Sequence, residues 1–197
     1  MPRNLKKSFF TRPDVLVIAR ELLGKYLFTR LDDRLTGGII IETEAYRGTT
    51  DKASHAFGGK VTARNRIMYM RGGTAYVYLC YGMHHLFNIV TNKTGIPDAV
   101  LIRAIEPTYG IEVMLKRRKL DNKSPRLANG PGSMSAALGI TTGLSGIELF
   151  GPEIWLEDRG NNPAPKQINA SPRVGVDYAG AHAKLPWRFR IKEKYEL

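Results

Sequence analysis

Apolar residues recur at three- and four-residue steps in "TRPDVLVIARELLGK", where Val15, Ile18, Ala19, Leu22 and Leu23 fall on one helical face. Thr11 and Asp14 have capping-box-like spacing, Pro13 suits a first turn, and Gly24 can close the segment. A scaffold helix is therefore predicted from about Thr11 to Gly24. The period then changes. "GGIIIETEAY" (37–46) has three consecutive isoleucines, as a largely buried strand would. "TAYVYLC", "HHLFNIVT" and "DAVLIRAIE" are rich in β-branched and aromatic residues and read as strands. "IELFGPEIWLED" and "PWRFRIKE" supply two more, and "YGIEVMLKRRKL" reads as a helix with Glu112 four residues before Lys116. "RLANGPGSMSAALGI" is a glycine-rich turn entering a short helix. Residues 47–73 and 159–172 read as loops.

Strands interrupted by helices without regular βαβ alternation predict an α+β fold. The expected architecture is a single domain over residues 1–197, with a curved, mainly antiparallel sheet flanked by helices and long loops. Hydrophobic residues are 43% of the 197, enough for a core without staples.

Charge sharpens the picture. The chain carries +12, spread over "RNLKK", "KVTARNR", "KRRK" and "RFRIKEK" rather than gathered in one tail. A basic face built by folding, meeting a polyanion such as nucleic acid, is the reading this supports. No segment is apolar for long enough to span a membrane, and no signal-peptide stretch is seen. Cys80 is the only cysteine, which excludes an internal disulfide and fits a reducing compartment. A cytoplasmic protein is expected, associated with the nucleoid if bacterial.

Candidate chemistry falls on the strands and the loop between them. Glu42 and Glu44 are two apart, so a strand points both to one face and turns Thr43 and Ala45 to the other. They are either solvated acids at an edge or a general base facing a pocket. Arg103 is the only charge inside "AVLIRAI" and needs a carboxylate, with Glu44 the expected partner. Tyr46, Tyr76, Tyr78 and Tyr81 are ordinary strand aromatics or a surface for unstacked bases. If Tyr81-Gly82-Met83 is the hairpin loop, Tyr78 pairs with Leu86 and Tyr76 with Asn88, all on one side of the sheet. The histidines (55, 84, 85 and 182) have no zinc-motif spacing, so no metal is expected.

Taken together, "IIETEAY", "ARNRIMYMRGGTAYVYLCYGMHHLFNIVT", "VLIRAIEP", "NGPGSMSAALGI" and "PRVGVDYAG" resemble the 3-methyladenine (alkyladenine) DNA glycosylase family, which is distinct from the helix-hairpin-helix glycosylases. The resemblance runs from about residue 8 to 192. It implies a monofunctional DNA glycosylase of base excision repair. Such an enzyme flips alkylated or deaminated purines out of duplex DNA and hydrolyses the glycosidic bond, leaving an abasic site. It implies a monomer without cofactor or metal.

By the same resemblance, Glu44 is the base that activates water, and Arg103 and the Val174 carbonyl hold that water. Tyr46, His55 and Tyr78 sandwich the flipped base, with the His55 backbone N–H donating to its edge. Asn88 disfavours the guanine amine. Tyr81 enters the duplex with Met83 beside it, and Thr62 and Arg64 contact the DNA backbone. Ser133 stands where the family commonly has lysine, and Arg126 or Lys123 are the candidates to replace that charge. Two other readings compete. One is a metal-dependent nuclease using Glu42, Glu44, Asp51 and His55. The other is a non-catalytic basic nucleic-acid-binding protein in which Glu44 and Arg103 form only an ion pair.

Overall fold

The computed structural model describes residues 2–192. Its strands are β1 (Arg3–Asn4), β2 (Tyr26–Leu31), β3 (Arg34–Tyr46), β4 (Ala75–Cys80), β5 (His84–Thr91), β6 (Asp98–Tyr109), β7 (Ile154–Asp158), β8 (Ile168–Ser171) and β9 (Arg188–Ile191). All pair antiparallel in one sheet of order β1-β7-β2-β3-β6-β5-β4, with β9 joined to β3 and β8. The helices are α1 (Lys7–Phe10), α2 (Val15–Glu21), α3 (Ile111–Arg118) and α4 (Pro131–Leu138). The expected α+β class and mainly antiparallel sheet are what the chain adopts.

β3 is the spine. Along one edge it pairs with β6, and register shifts at Ile40/Glu42 and Glu42/Thr43 break that ladder. Such bulges bend a strand and raise its twist, which gives the sheet its curvature at the two glutamates. β2 pairs with residues 34–39 of β3, and β9 with Glu42, Thr43 and Glu44.

The two-residue period of the strands divides the sheet into unlike faces. Ala45, Ala75, Val77, Phe87, Ile89, Val100 and Ile102 join the large core with α2, α3 and α4. The intervening Tyr76, Val90 and Ala99 pack instead with Ala56 and Met68 of the 47–73 segment. Thr43 faces the helices, its hydroxyl donating to the Ala19 carbonyl of α2 at 2.8 Å. Its neighbours Glu42 and Glu44 consequently face the other way.

The hairpin has the expected register, with Tyr76 opposite Asn88, Tyr78 opposite Leu86 and a loop of Tyr81, Gly82 and Met83. Other boundaries moved. The first long helix begins at Val15, because Asp14 is the cap: its carboxylate accepts the Leu16 and Val17 N–H groups at 2.9 and 3.2 Å. Thr11 and Pro13 precede it. β3 begins at Arg34, three residues before the apolar run, because β2 pairs with its opening residues. β6 runs on to Tyr109, and α3 starts only after Gly110, whose φ of 66° breaks the strand. Within "IELFGPEIWLED" only Ile154–Asp158 forms a continuous strand. Of "PWRFRIKE" the strand is Arg188–Ile191, and Glu193 lies outside the described residues. The 159–172 loop ends in β8, which exists by pairing with β9.

Asp14→Ala removes both cap hydrogen bonds. The expected loss of stability is about 1 kcal/mol by urea denaturation, with the unfolding slope unchanged.

Candidate active site

On the face opposite the large core, one cavity of about 820 Å³ opens between the sheet, the 47–73 segment and the loop around Val174. That volume lies within the range of roughly 300–1,000 Å³ typical of small-ligand sites. Its lining includes Tyr46, His55, Arg64, Tyr78, Asn88 and Arg103.

Glu44 is 0% exposed and lies behind this lining. Its Oε1 accepts the Val174 N–H at 2.9 Å and faces Arg103 Nη1 at 3.2 Å. Its Oε2 accepts the Tyr46 hydroxyl at 2.8 Å. Tyr46, Arg103 and Val174 all line the cavity and all contact the carboxylate, which puts it immediately behind that wall. Burial, then the adjacent Glu44 carboxylate, pushes the Tyr46 phenol well above its ordinary value, so it stays protonated and donates.

Arg103 was expected to pair with Glu44; it pairs with both glutamates. Its Nε donates to Glu42 Oε1 at 3.1 Å, and Glu42 also faces Arg188 and Arg190 at 3.7 and 3.6 Å. Neither glutamate is a solvated edge acid. Two buried carboxylates side by side are tolerable only because cations compensate their lost hydration.

His55 and Tyr78 meet edge to face, ring centroids 4.5 Å apart. His55 Nδ1 is 2.8 Å from the Tyr76 hydroxyl. Burial, with the nearby Arg64 cation, lowers His55 to about 4, so the ring is neutral at pH 7. Burial pushes Tyr76 up to about 12. Arg64 lies over the Tyr78 ring at 5.4 Å. Asn88 donates its amide N–H groups to the Tyr76 and Leu86 carbonyls at 3.1 and 3.2 Å, which fixes its orientation.

The hairpin tip projects from the rim. Tyr81 is 89% exposed and Met83 69%. Tyr81 also holds a φ of 50°, a left-handed backbone that disfavours any residue with a Cβ. A strained and uncovered aromatic is how a ligand-contacting tip is built, not a core. Thr62 is exposed and sits away from the cavity lining; it builds the turn before Arg64 through its N–H to Asn65 Oδ1 at 2.7 Å. Ser133 lines the cavity at the start of α4. Arg118, which sequence reading did not name, lies beside it: its Nη2 donates to Ser133 Oγ at 3.0 Å and to the Arg126 carbonyl at 3.2 Å. Lys123 instead pairs with Glu106 at 2.9 Å.

Sequence reading missed the two groups that hold the walls. Arg173 and Asp51 are an ion pair without solvent exposure on either side chain, with Nη2 to Oδ1 at 2.9 Å. Arg173 also donates to the Ala45 carbonyl at 2.9 Å and lies over the Tyr46 ring at 4.7 Å. One guanidinium thus ties the His55 loop to the end of β3 and to the Val174 loop. Burial alone would raise the Asp51 carboxyl, but Arg173 and the Ala53 N–H hold it below the ordinary carboxylate range. Asn65 is the second: its amide donates to the His55 and Lys60 carbonyls, both at 2.9 Å. Both residues stand in loops, where no period marks burial; a lone Asp and a lone Arg 122 positions apart carry no local signal.

The four residues of a metal-nuclease reading are each engaged elsewhere: Glu42 and Glu44 with Arg103, Asp51 with Arg173, His55 with Tyr76. Among the described residues, no three His, Cys, Asp or Glu side chains are grouped to hold a metal ion. No helix among them is long and apolar enough to cross a membrane.

Comparison with known proteins adds an independent finding. Residues 8–195 match the family model of methylpurine-DNA glycosylases. A protein of Chlamydia felis provisionally named 3-methyladenine DNA glycosylase is 48% identical over 191 residues, covering 96% of this chain and 97% of that protein. Proteins under the same provisional name are 48% identical in Methanocella arvoryzae, covering 95% of this chain and 92% of that protein, and 42% identical in Desulfitobacterium hafniense, covering 97% and 96%.

Two outcomes follow from the geometry. Arg173→Met leaves Asp51 buried and unpaired, and is expected to destabilise the fold by about 3–5 kcal/mol in chemical denaturation. Pairing it with Asp51→Asn should recover part of that loss. For His55 the folded value lies below the unfolded one, so between pH 6.5 and about 4 the unfolded chain binds more protons. Stability should therefore fall as pH drops through that window, with no contribution above pH 6.5. His55→Gln should flatten this slope, by at most about 1.4 kcal/mol per pH unit in unfolding titrations.

Proposed function

The chain belongs to the methylpurine-DNA glycosylase family, and from that membership we propose that it flips damaged purines out of duplex DNA and hydrolyses their glycosidic bond with water activated by Glu44. It is a DNA glycosylase acting on DNA. The observation that carries the mechanism is a fully buried glutamate, paired with an arginine, directly behind an aromatic-lined cavity.

The basic surface draws in the duplex with little sequence preference. A damaged or mispaired base is the least costly to extrude, at a few kcal/mol. Tyr81 fills the vacated space, with Met83 along the same groove, and so offsets part of the unstacking. The base enters between Tyr46 on one side and His55 with Tyr78 on the other. Flat rings favour the electron-poor, cationic bases produced by alkylation. Asn88, fixed by its two carbonyl partners, shapes the edge that excludes normal guanine, and the His55 backbone N–H reads the purine edge. Thr62 and Arg64 lie along the DNA backbone, with Arg64 reaching from the cavity wall.

As the C1′–N bond breaks, the sugar gains positive charge. Glu44 stabilises it and takes a proton from water held by Arg103 and the Val174 carbonyl. The product is an intact abasic site and a free base; among the described residues no lysine lines the cavity. Every group named comes from one chain, so a monomer suffices.

The test uses one duplex carrying hypoxanthine and one methylated to contain 3-methyladenine, in EDTA, followed by hot alkali. Wild type should give alkali-dependent cleavage; Glu44→Gln should bind the same DNA, leave the hypoxanthine duplex uncut and excise the labile methylated purine only at a small residual rate. Tight binding without cleavage by wild type would instead support a non-catalytic DNA-binding protein. Tyr81→Ser should weaken capture of the lesion duplex by about 1–3 kcal/mol, the worth of one base–aromatic stack. Unchanged capture would count against the wedge.

A further inference from the structure

We propose that the Tyr46 hydroxyl is a positioning group for catalysis, selecting Oε2 of Glu44 as the oxygen that takes the proton from water. This rests on Glu44 being the base.

The two oxygens of the Glu44 carboxylate have unlike partners. A carboxylate has about four acceptor positions, two on each oxygen. Oε1 has the Val174 N–H at 2.9 Å and the Arg103 guanidinium at 3.2 Å. Neither an amide N–H nor a guanidinium can accept a hydrogen bond. A proton placed on Oε1 would meet two donors and forfeit a charge-assisted contact. Oε2 faces a single partner, the Tyr46 hydroxyl at 2.8 Å. A hydroxyl both donates and accepts. While Glu44 is a carboxylate the phenol donates to it; once Oε2 is protonated the phenol accepts, so both states are satisfied.

The step balances without another reactant. The water O–H bond breaks and its proton goes to Oε2. The remaining oxygen bonds to C1′ as the C1′–N pair leaves with the base. A cationic base departs neutral; a neutral base departs as an anion and takes a proton from solvent.

The surroundings of Tyr46 suit this task. The ring is fixed by the Arg173 guanidinium at 4.7 Å, and Arg173 is itself locked to Asp51 and the Ala45 carbonyl. The hydroxyl is therefore held against Oε2 whether or not a base is stacked on the ring. Stacking and positioning can be separated, because the first needs the ring and the second the oxygen.

The experiment measures single-turnover excision and duplex affinity for wild type, Tyr46→Phe, Glu44→Gln and the double variant, on DNA carrying a cationic methylated purine. Tyr46→Trp serves as a second ring without the hydroxyl in that position. Tyr46→Phe should slow excision about tenfold, or about 1.4 kcal/mol in the barrier, and leave affinity within about threefold. Tyr46→Trp should lose excision similarly. On Glu44→Gln, whose residual rate reflects the leaving group alone, Tyr46→Phe should cause no further loss. Wild-type rates in Tyr46→Phe would overturn the proposal, as would an equal loss on both backgrounds or a loss confined to affinity. Full activity in Glu44→Gln would remove the base assignment itself, and the proposal with it.

Discussion

The Arg103 guanidinium between Glu42 and Glu44 is the contact around which the rest is arranged. Two carboxylates with almost no solvent exposure face the same side of one strand, and a single arginine reaches both, at 3.1 and 3.2 Å. Taking an ion from water costs several kcal/mol even after relaxation, and only a well-placed counter-charge with added hydrogen bonds offsets it. The bulges in β3, the arginines of β9 and the Val174 loop each supply part of that compensation. An ion cluster of this kind is a poor way to gain stability, since apolar side chains of the same volume pack as well. It sits in a sheet whose other face is a conventional core, which is why the proposed function places the chemistry there.

Period-two alternation makes this separation possible. One residue of each pair on β3 to β6 completes the core beneath the helices, and the next forms the floor of the cavity. The floor is thus as rigid as the core. The walls are irregular loops, and rigidity there comes from Arg173 and Asn65, which donate to backbone carbonyls, and from Asp51, which accepts from Arg173 and from the Ala53 N–H. The hairpin tip lacks such support, with Tyr81 exposed in a left-handed conformation. A rigid pocket with a projecting ring fits an enzyme that must hold a base still while the helix it came from stays intact.

Much of this was legible in the chain. The turn residues between "TAYVYLC" and "HHLFNIVT" suggested a Tyr81-Gly82-Met83 loop, and given that loop the pairing that keeps Tyr76, Tyr78, Leu86 and Asn88 on a common face followed, as the structure has it. The spacing of Glu42 and Glu44 put both on one face, and the charge isolated in an apolar strand announced a buried ion pair with Glu44; that Arg103 also reaches Glu42 was not foreseen. What was hidden depends on partners far along the chain. β8 is a strand only because β9 lies next to it. Asp51 and Arg173 look like ordinary loop charges until folding brings them together. The role of Arg118 at Ser133 needed α3 packed against α4, which no local pattern encodes.

The central claim is that a base leaves the duplex and comes to rest in front of Glu44. The most direct test is a crystal structure of the Glu44→Gln variant bound to a duplex containing one hypoxanthine. The account predicts the hypoxanthine inside the cavity, stacked between Tyr46 and the His55–Tyr78 pair, with Tyr81 in the gap it left. Hypoxanthine still paired in the helix, with the cavity facing away from the DNA, would contradict it.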